Sequence, residues 1–308
     1  MRKCLAIALT LSLWGCGKSV KVDAPSMTID EPDRVLYEKA LKLMEKHNYE
    51  VAQVTLQTLI STYQESDYFP KAKFAIGESY YRAGGRENLD SSEAAFKDFI
   101  IYFRDSDIAD DAQMYVAMTH IKRIQSPDRD NTEARLAELE LKELITSYPD
   151  SNLLEEAKQK LREVVEILAH GSFNVANQYL LRKNYKAAVN RYVEIEEKWP
   201  DFSKMDETLY NHAEALRLGK NAEASATFYA EVVSNFPMSP KAKPAKQHLI
   251  DMNVAAPEPN PLAFQRQTPS ADKNLLSKTV GVFKSHPQVP ITTSAASVEV
   301  EEAKEKKN

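Results

Sequence analysis

Five segments of this chain repeat one spacing of large and small residues, and that spacing admits little besides paired helices. Each segment is anchored by an aromatic followed three residues later by Ser or Phe: Tyr63–Ser66, Phe103–Ser106, Tyr148–Ser151, Trp199–Phe202 and Phe236–Ser239. Eleven residues before the aromatic stand Ala52, Ser92, Ala137, Ala188 and Ser225, all small. Seven before it stand Leu56, Phe96, Leu141, Tyr192 and Tyr229, and four before it Leu59, Phe99, Leu144, Ile195 and Val232. Three before it the residues are Ile60, Ile100, Ile145, Glu196 and Val233, with Glu196 the one exception. Such offsets trace one face of an α-helix, with a small residue where another helix must come close.

A second helix precedes each of these. Its small position is Ala40, Gly77, Ala117, Ala176 or Ala213, and three residues later come Leu43, Tyr80, His120, Tyr179 and Leu216. Each unit therefore reads as two antiparallel helices. Four of the turns between them are short: HisAsn at 47–48, GlyGly at 84–85, LysAsn at 183–184 and GlyLys at 219–220.

Composition agrees and narrows the function. The 308 residues include only 8 glycines, against an average usage of about 7 %. No GxGxxG or GxxxxGK[ST] phosphate loop is present. A net charge of -5 argues against nucleic acid, whose phosphates demand a basic face. No two of the six histidines lie at i, i+3 or i, i+4, and neither cysteine is near one, so no metal or other cofactor is expected. His120 reads as a satisfied interior histidine. No nucleophile sits on a Gly-bounded elbow, and no enzyme activity is expected.

The paired-helix pattern resembles the tetratricopeptide repeat. The aromatics are spaced 40, 45, 51 and 37 residues apart, against about 34 in the regular repeat, so the stack carries insertions. The expected fold is all-α: a tetratricopeptide-repeat solenoid of about five helix pairs with one long linking helix. That helix is expected within 150–182, either as one unusually long helix or as two nearly collinear ones meeting near Gly171. Stacked pairs bury their faces together and present an extended binding surface.

The N-terminus reads as an address. Arg2 and Lys3 precede an apolar run from Leu5 to Trp14, broken only by Thr10 and Ser12. That run is too short to span a bilayer but suits a signal peptide. It ends in Leu13-Trp14-Gly15-Cys16, which resembles a bacterial lipobox, with Cys16 as the lipid attachment residue. The expected organisation is a signal peptide at 1–15 and a tether at 16–32. Repeats one to three follow at 33–149, then the long helix with repeats four and five at 150–253. A Pro-rich tail at 254–308 reads as disordered.

Lipobox, repeats and long helix combine with local motifs: AspArgAsp at 128–130 before GluAlaArg at 133–135, TyrProAspSer at 148–151 and AsnTyrLysAlaAlaValAsnArgTyr at 184–192. In this order they resemble the BamD family of outer-membrane assembly lipoproteins. The resemblance covers roughly residues 13–250. It implies a lipid-anchored protein on the periplasmic face of the outer membrane. Its implied partners are a BamA-like β-barrel insertase, other assembly lipoproteins and unfolded outer-membrane proteins. Arg191 matches an arginine that contacts the insertase in the family; its local alternative is a pair with Glu194. Asp128, Arg129 and Asp130 are marked as partner-facing, with a helix N-cap as their plainer reading. The chain departs from the family at Ser172, beside Gly171, where members tend to carry glutamate.

Aromatics on the repeat lattice read as core. Those off it, Tyr68, Phe69, Tyr81 and Tyr102, are candidates for a groove that holds an unfolded substrate. A competing reading is a periplasmic tetratricopeptide adaptor coordinating cell-envelope or cell-wall synthesis. The run IleGlyGluSerTyrTyr at 76–81 fits it, but the lipobox and the lack of a sustained heptad before the first repeat do not.

Overall fold

The computed structural model describes residues 31–126 and 130–264. Among them the regular elements are eleven α-helices and one short 3-10 turn. Five antiparallel pairs follow one another: α1 (Pro32–Glu45) with α2 (Tyr49–Thr62), α3 (Tyr68–Ala83) with α4 (Arg86–Tyr102), α5 (Ala109–Arg123) with α6 (Thr132–Ser147), α7 (Leu154–Leu181) with α8 (Tyr185–Lys198), and α9 (Met205–Leu218) with α10 (Ala222–Asn235). A single helix, α11 (Ala242–Asp251), and the turn Pro261–Phe264 complete the stack. Each helix packs on the next in chain order, and α1 on α3, α3 on α5 and α7 on α9 add contacts between first helices of neighbouring units. This near-neighbour pattern is that of a repeat solenoid.

The lattice is the core. The small residues Ala52, Ser92, Ala137, Ala188 and Ser225 are fully buried, as are Leu56, Phe96, Leu141, Tyr192 and Tyr229. Of Leu59, Phe99, Leu144, Ile195 and Val232 none is more than 1 % exposed. The small positions are small because the partner helix touches them. Ser92 Oγ donates to the Gly77 carbonyl at 3.0 Å, and a Cβ on Gly77 would stand 3.0 Å from the Phe96 ring. Glu196 breaks the apolar pattern for a reason: its carboxylate meets Nδ1 of buried His212 at 2.7 Å.

Each anchoring aromatic is the C-cap of its helix. Its N–H closes the last helical turn, and its carbonyl accepts from the residue three later, as in Ser66 N to Tyr63 O at 3.2 Å and Ser239 N to Phe236 O at 2.9 Å. The serine then starts the next helix, its Oγ accepting from Tyr68 N, Leu153 N or Lys241 N at 2.9–3.0 Å. Its hydroxyl also donates to a carboxylate in the first turn of the preceding unit. Ser66 reaches Asp33 at 2.5 Å and Ser151 reaches Asp110 at 2.6 Å, and Ser239 pairs with Asp206. The Ser66 hydroxyl holds the Asp33 carboxyl below the usual carboxylate range.

The short turns within units end the first helix on a left-handed residue: His47 (φ 58°), Lys183 (φ 61°) and Lys220 (φ 68°). The next N–H reaches back five residues, as in Asn221 N to Leu216 O at 2.9 Å. This arrangement satisfies carbonyls that a helix end otherwise leaves open. At the fifth turn the left-handed residue is Lys220, while Gly219 keeps φ −77°.

The long helix is one helix. α7 runs 28 residues from Leu154 to Leu181 and passes through buried Gly171 without a break. Its first half, with Ala157, Val164, Ile167 and Leu168, belongs to the core shared with α3 to α6. Its second half, with Ala169, Phe173 and Ala176, belongs to the core shared with α8 to α11. A third core joins α1, α2 and α3.

The sequence reading of disorder from residue 254 needs correction over its first stretch. The turn at Asn253 (φ 57°) repeats the geometry of the turns at His47, Lys183 and Lys220. No second helix follows, because Pro257, Pro259 and Pro261 forbid one. The chain instead folds back along α10, where Asn260 N donates to Ser234 O at 3.0 Å and Ala263 is buried. Proline breaks a helix without preventing a strap from packing. Residues 265–308, like residues 1–30 with the expected signal peptide and Cys16, lie outside the described residues.

Candidate functional site

Arg191 lies on α8 beside its buried stripe of Ala188, Tyr192 and Ile195. Its guanidinium pairs with Glu194 at 2.7 Å and keeps 44 % of its side chain exposed. Glu194 also receives Lys198 at 2.8 Å. Burial pushes the Glu194 carboxyl up, but Lys198 and Arg191 outweigh it and hold the group below its ordinary range. The local pair weighed in the sequence is therefore made. A partner carboxylate can still take the guanidinium's outer edge, because its planar fork carries five donors.

Asp130 serves the start of α6. Its Oδ1 accepts from Thr132 N at 3.0 Å and from Thr132 Oγ1 at 2.6 Å. The N-cap itself is Asn131, one residue later. Asp128 and Arg129 lie outside the described residues.

The four groove aromatics do not come together. Tyr68 and Phe69 open α3 half-buried, and Tyr68 rests 5.4 Å from the Tyr37 ring. Lys71 and Lys73 stand over the Tyr68 and Phe69 rings at 5.2 and 5.8 Å. Tyr81 is thirteen residues further along α3, which places it roughly 20 Å away. It is only 6 % exposed, edge-on to Tyr115 at 5.1 Å, with the Lys122 ammonium 3.4 Å from its ring centre. Tyr81 is thus a core residue and not part of a surface groove: packing of α5 on α3 covers an aromatic that lies off the repeat lattice. Tyr102, at the end of α4, is 72 % exposed beside equally bare Ile101. A cleft of about 500 Å³ opens there, lined by Ile100, Ile101, Arg104, Glu143 and Tyr148 among others.

His120 is an interior histidine with partners. It is 1 % exposed, its Nδ1 lies 2.8 Å from Glu133 and its Nε2 3.5 Å from Glu93. Arg123 joins them, 2.6 Å from Glu93 and 3.0 Å from Asp90. This cluster ties α4, α5 and α6 together. Sequence reasoning missed the carboxylates because they come from two other helices, α4 and α6, at irregular separations. Among the described residues no group of His, Cys, Asp and Glu is placed to hold a metal ion. None of their helices is long and apolar enough to cross a membrane.

A family model described as YfiO, outer membrane lipoprotein, matches residues 29–231. The outer membrane protein assembly factor BamD of Vibrio cholerae serotype O1 is 26 % identical over 223 residues, covering 68 % of this chain and 88 % of that protein. Its counterpart in Neisseria meningitidis serogroup B is 23 % identical over 249 residues, covering 78 % and 92 %. Among solved structures, the TPR2AB domain of yeast Sti1 in complex with an Hsp90 peptide overlaps 82 % of this chain and 96 % of its own, at 12 % identity and a TM-score of 0.38.

Proposed function

This chain belongs to the YfiO family of outer membrane lipoproteins, and from that membership we propose that it is an assembly factor of the outer-membrane β-barrel machinery. The observation that carries the reading is the family match from residue 29 to residue 231, which runs from just before α1 into α10. Relatives named outer membrane protein assembly factor BamD align over most of their own length.

In this reading the solenoid is a scaffold. Cys16 carries the lipid that holds it to the periplasmic face of the outer membrane. A BamA-like insertase docks on the second half, with Arg191 offering the outer edge of its guanidinium to a carboxylate of the partner. Unfolded barrel precursors meet the first half, where Tyr68, Phe69 and Tyr102 leave aromatic surface in contact with solvent. Asp128 and Arg129, in the α5–α6 connection, are further partner-facing residues. Asp130 is committed to α6 and contributes through the shape of that connection. The chemistry asked of such a protein is holding and positioning, and the reading assigns it no catalytic group.

Arg191→Glu tests the docking surface. Reversing a charge opposite a carboxylate costs about 2–5 kcal/mol at an interface. Affinity purification from detergent-solubilised membranes should lose the insertase by at least about 30-fold, with unchanged helicity by circular dichroism. Undiminished co-purification would remove Arg191 from the interface.

A further inference from the structure

Among the described residues helix α1 is the first layer of the solenoid, and none of their elements precedes it to cover its outer face. Its inner face buries Ala40 and Met44. Val35, Lys39, Lys42 and Lys46 lie at i, i+4, i+7 and i+11, which is one stripe of a helix. All four are exposed, and with Glu38 and Leu43 they line a shallow groove of about 450 Å³.

The lysines of this stripe differ from several on later helices. Lys97, Lys142 and Lys198 each pair with a glutamate four residues earlier. Four residues before Lys39 and Lys46 stand Val35 and Lys42. Glu38 precedes Lys42 by four, but Arg34 holds it at 2.9 Å. Among the described residues none of the three lysines makes an ion pair. Three cations interleaved with exposed Val35 and half-buried Leu43 form the mixed surface by which a helix lies on a charged lipid interface. Their alkyl stems can lie along the apolar side chains while the ammonium groups reach outward. The chain as a whole carries a net charge of -5, so this face runs against its overall sign.

Position adds to charge. Pro32 comes sixteen positions after Cys16, a span that cannot exceed about 55 Å. No other helix is joined to Cys16 by so short a length of chain.

We propose that the Lys39–Lys42–Lys46 face of α1 docks on anionic phospholipid headgroups of the leaflet that holds the lipid anchor. It is a second attachment, independent of acylation, that sets which end of the solenoid meets the membrane. The placement rests on Cys16 being the anchor; the headgroup contact does not.

Vesicle co-sedimentation separates the two. The full chain from residue 16, with Cys16→Ser so that no acyl group contributes, is mixed with vesicles of phosphatidylglycerol and phosphatidylethanolamine, or of phosphatidylcholine alone. Binding is expected only to the first, and to fall as salt rises. K39Q/K42Q/K46Q should weaken it about 100-fold, the product of roughly a five-fold contribution per lysine. K243Q/K246Q on α11, at the far end, should leave it unchanged. Equal binding to both vesicles overturns the proposal, as does an equal loss from the α11 pair. So does capture of an acidic protein without any vesicle binding. The mass of the protein extracted from native membranes reports acylation separately, so a missing lipid on Cys16 would remove the anchor and leave the vesicle result standing.

Discussion

Leu144 stands four residues before Tyr148 and is fully buried between α6 and its neighbours. Leu144→Ala should cost about 2–5 kcal/mol in urea unfolding; a change within about 0.5 kcal/mol of zero would mean that the lattice register is wrong. Asp111 makes a different case. Burial first, then the carboxylates of Asp110 and Glu78, push its carboxyl up from 3.8 to about 6. Between pH 4 and 6 the folded chain keeps a proton that the unfolded chain releases. Stability from this group is therefore gained as pH falls through that window and lost as pH rises through it. Asp111→Asn should stabilise the protein by about 1–2 kcal/mol at pH 7.5, less than the full shift because the side chain still meets water. At pH 4 the gain should vanish; an equal difference at both values would contradict the assignment. Neither the raised carboxyl nor the burial of Tyr81 was legible in the sequence, since both depend on how α3 and α5 meet.

At the scale of elements, the helices were legible because small and large residues recur with helical spacing and both must be satisfied at once. The turns were legible only in part. Glycine marks a left-handed position by propensity, yet at 219–220 the chain places Lys220 there and keeps Gly219 at negative φ. The Ser–carboxylate contacts that tie one unit to the next also escaped notice, since Ser66 and Asp33 are 33 residues apart. The strap after α11 was misread because prolines argue against helix and say nothing about packing. It closes the solenoid where a second helix would otherwise stand. A chain ending at Phe264 should keep full stability, whereas one ending at Asn253 should lose about 1–3 kcal/mol, from the buried Ala263 and the bond to Ser234. Identical urea midpoints for the two truncations would show that the strap contributes nothing.

For the whole molecule, α7 decides how the two halves relate. One uninterrupted helix contributes to the core of α3–α6 with its first half and to that of α8–α11 with its second. Surfaces carried by the early repeats and by α8 are thus joined through a single 28-residue element, as the proposed scaffold role requires. The sequence left open whether the helix broke at Gly171, because glycine lowers helix propensity; packing on both sides of buried Gly171 overrides it. The barrel-assembly role is tested most directly by crosslinking the chain in native membranes and identifying what it captures. The expected catch, in the outer-membrane fraction, is a large β-barrel protein with periplasmic domains together with unfolded barrel precursors. Recovery of cell-wall synthesis enzymes instead, with no β-barrel protein among the captured partners, would contradict it.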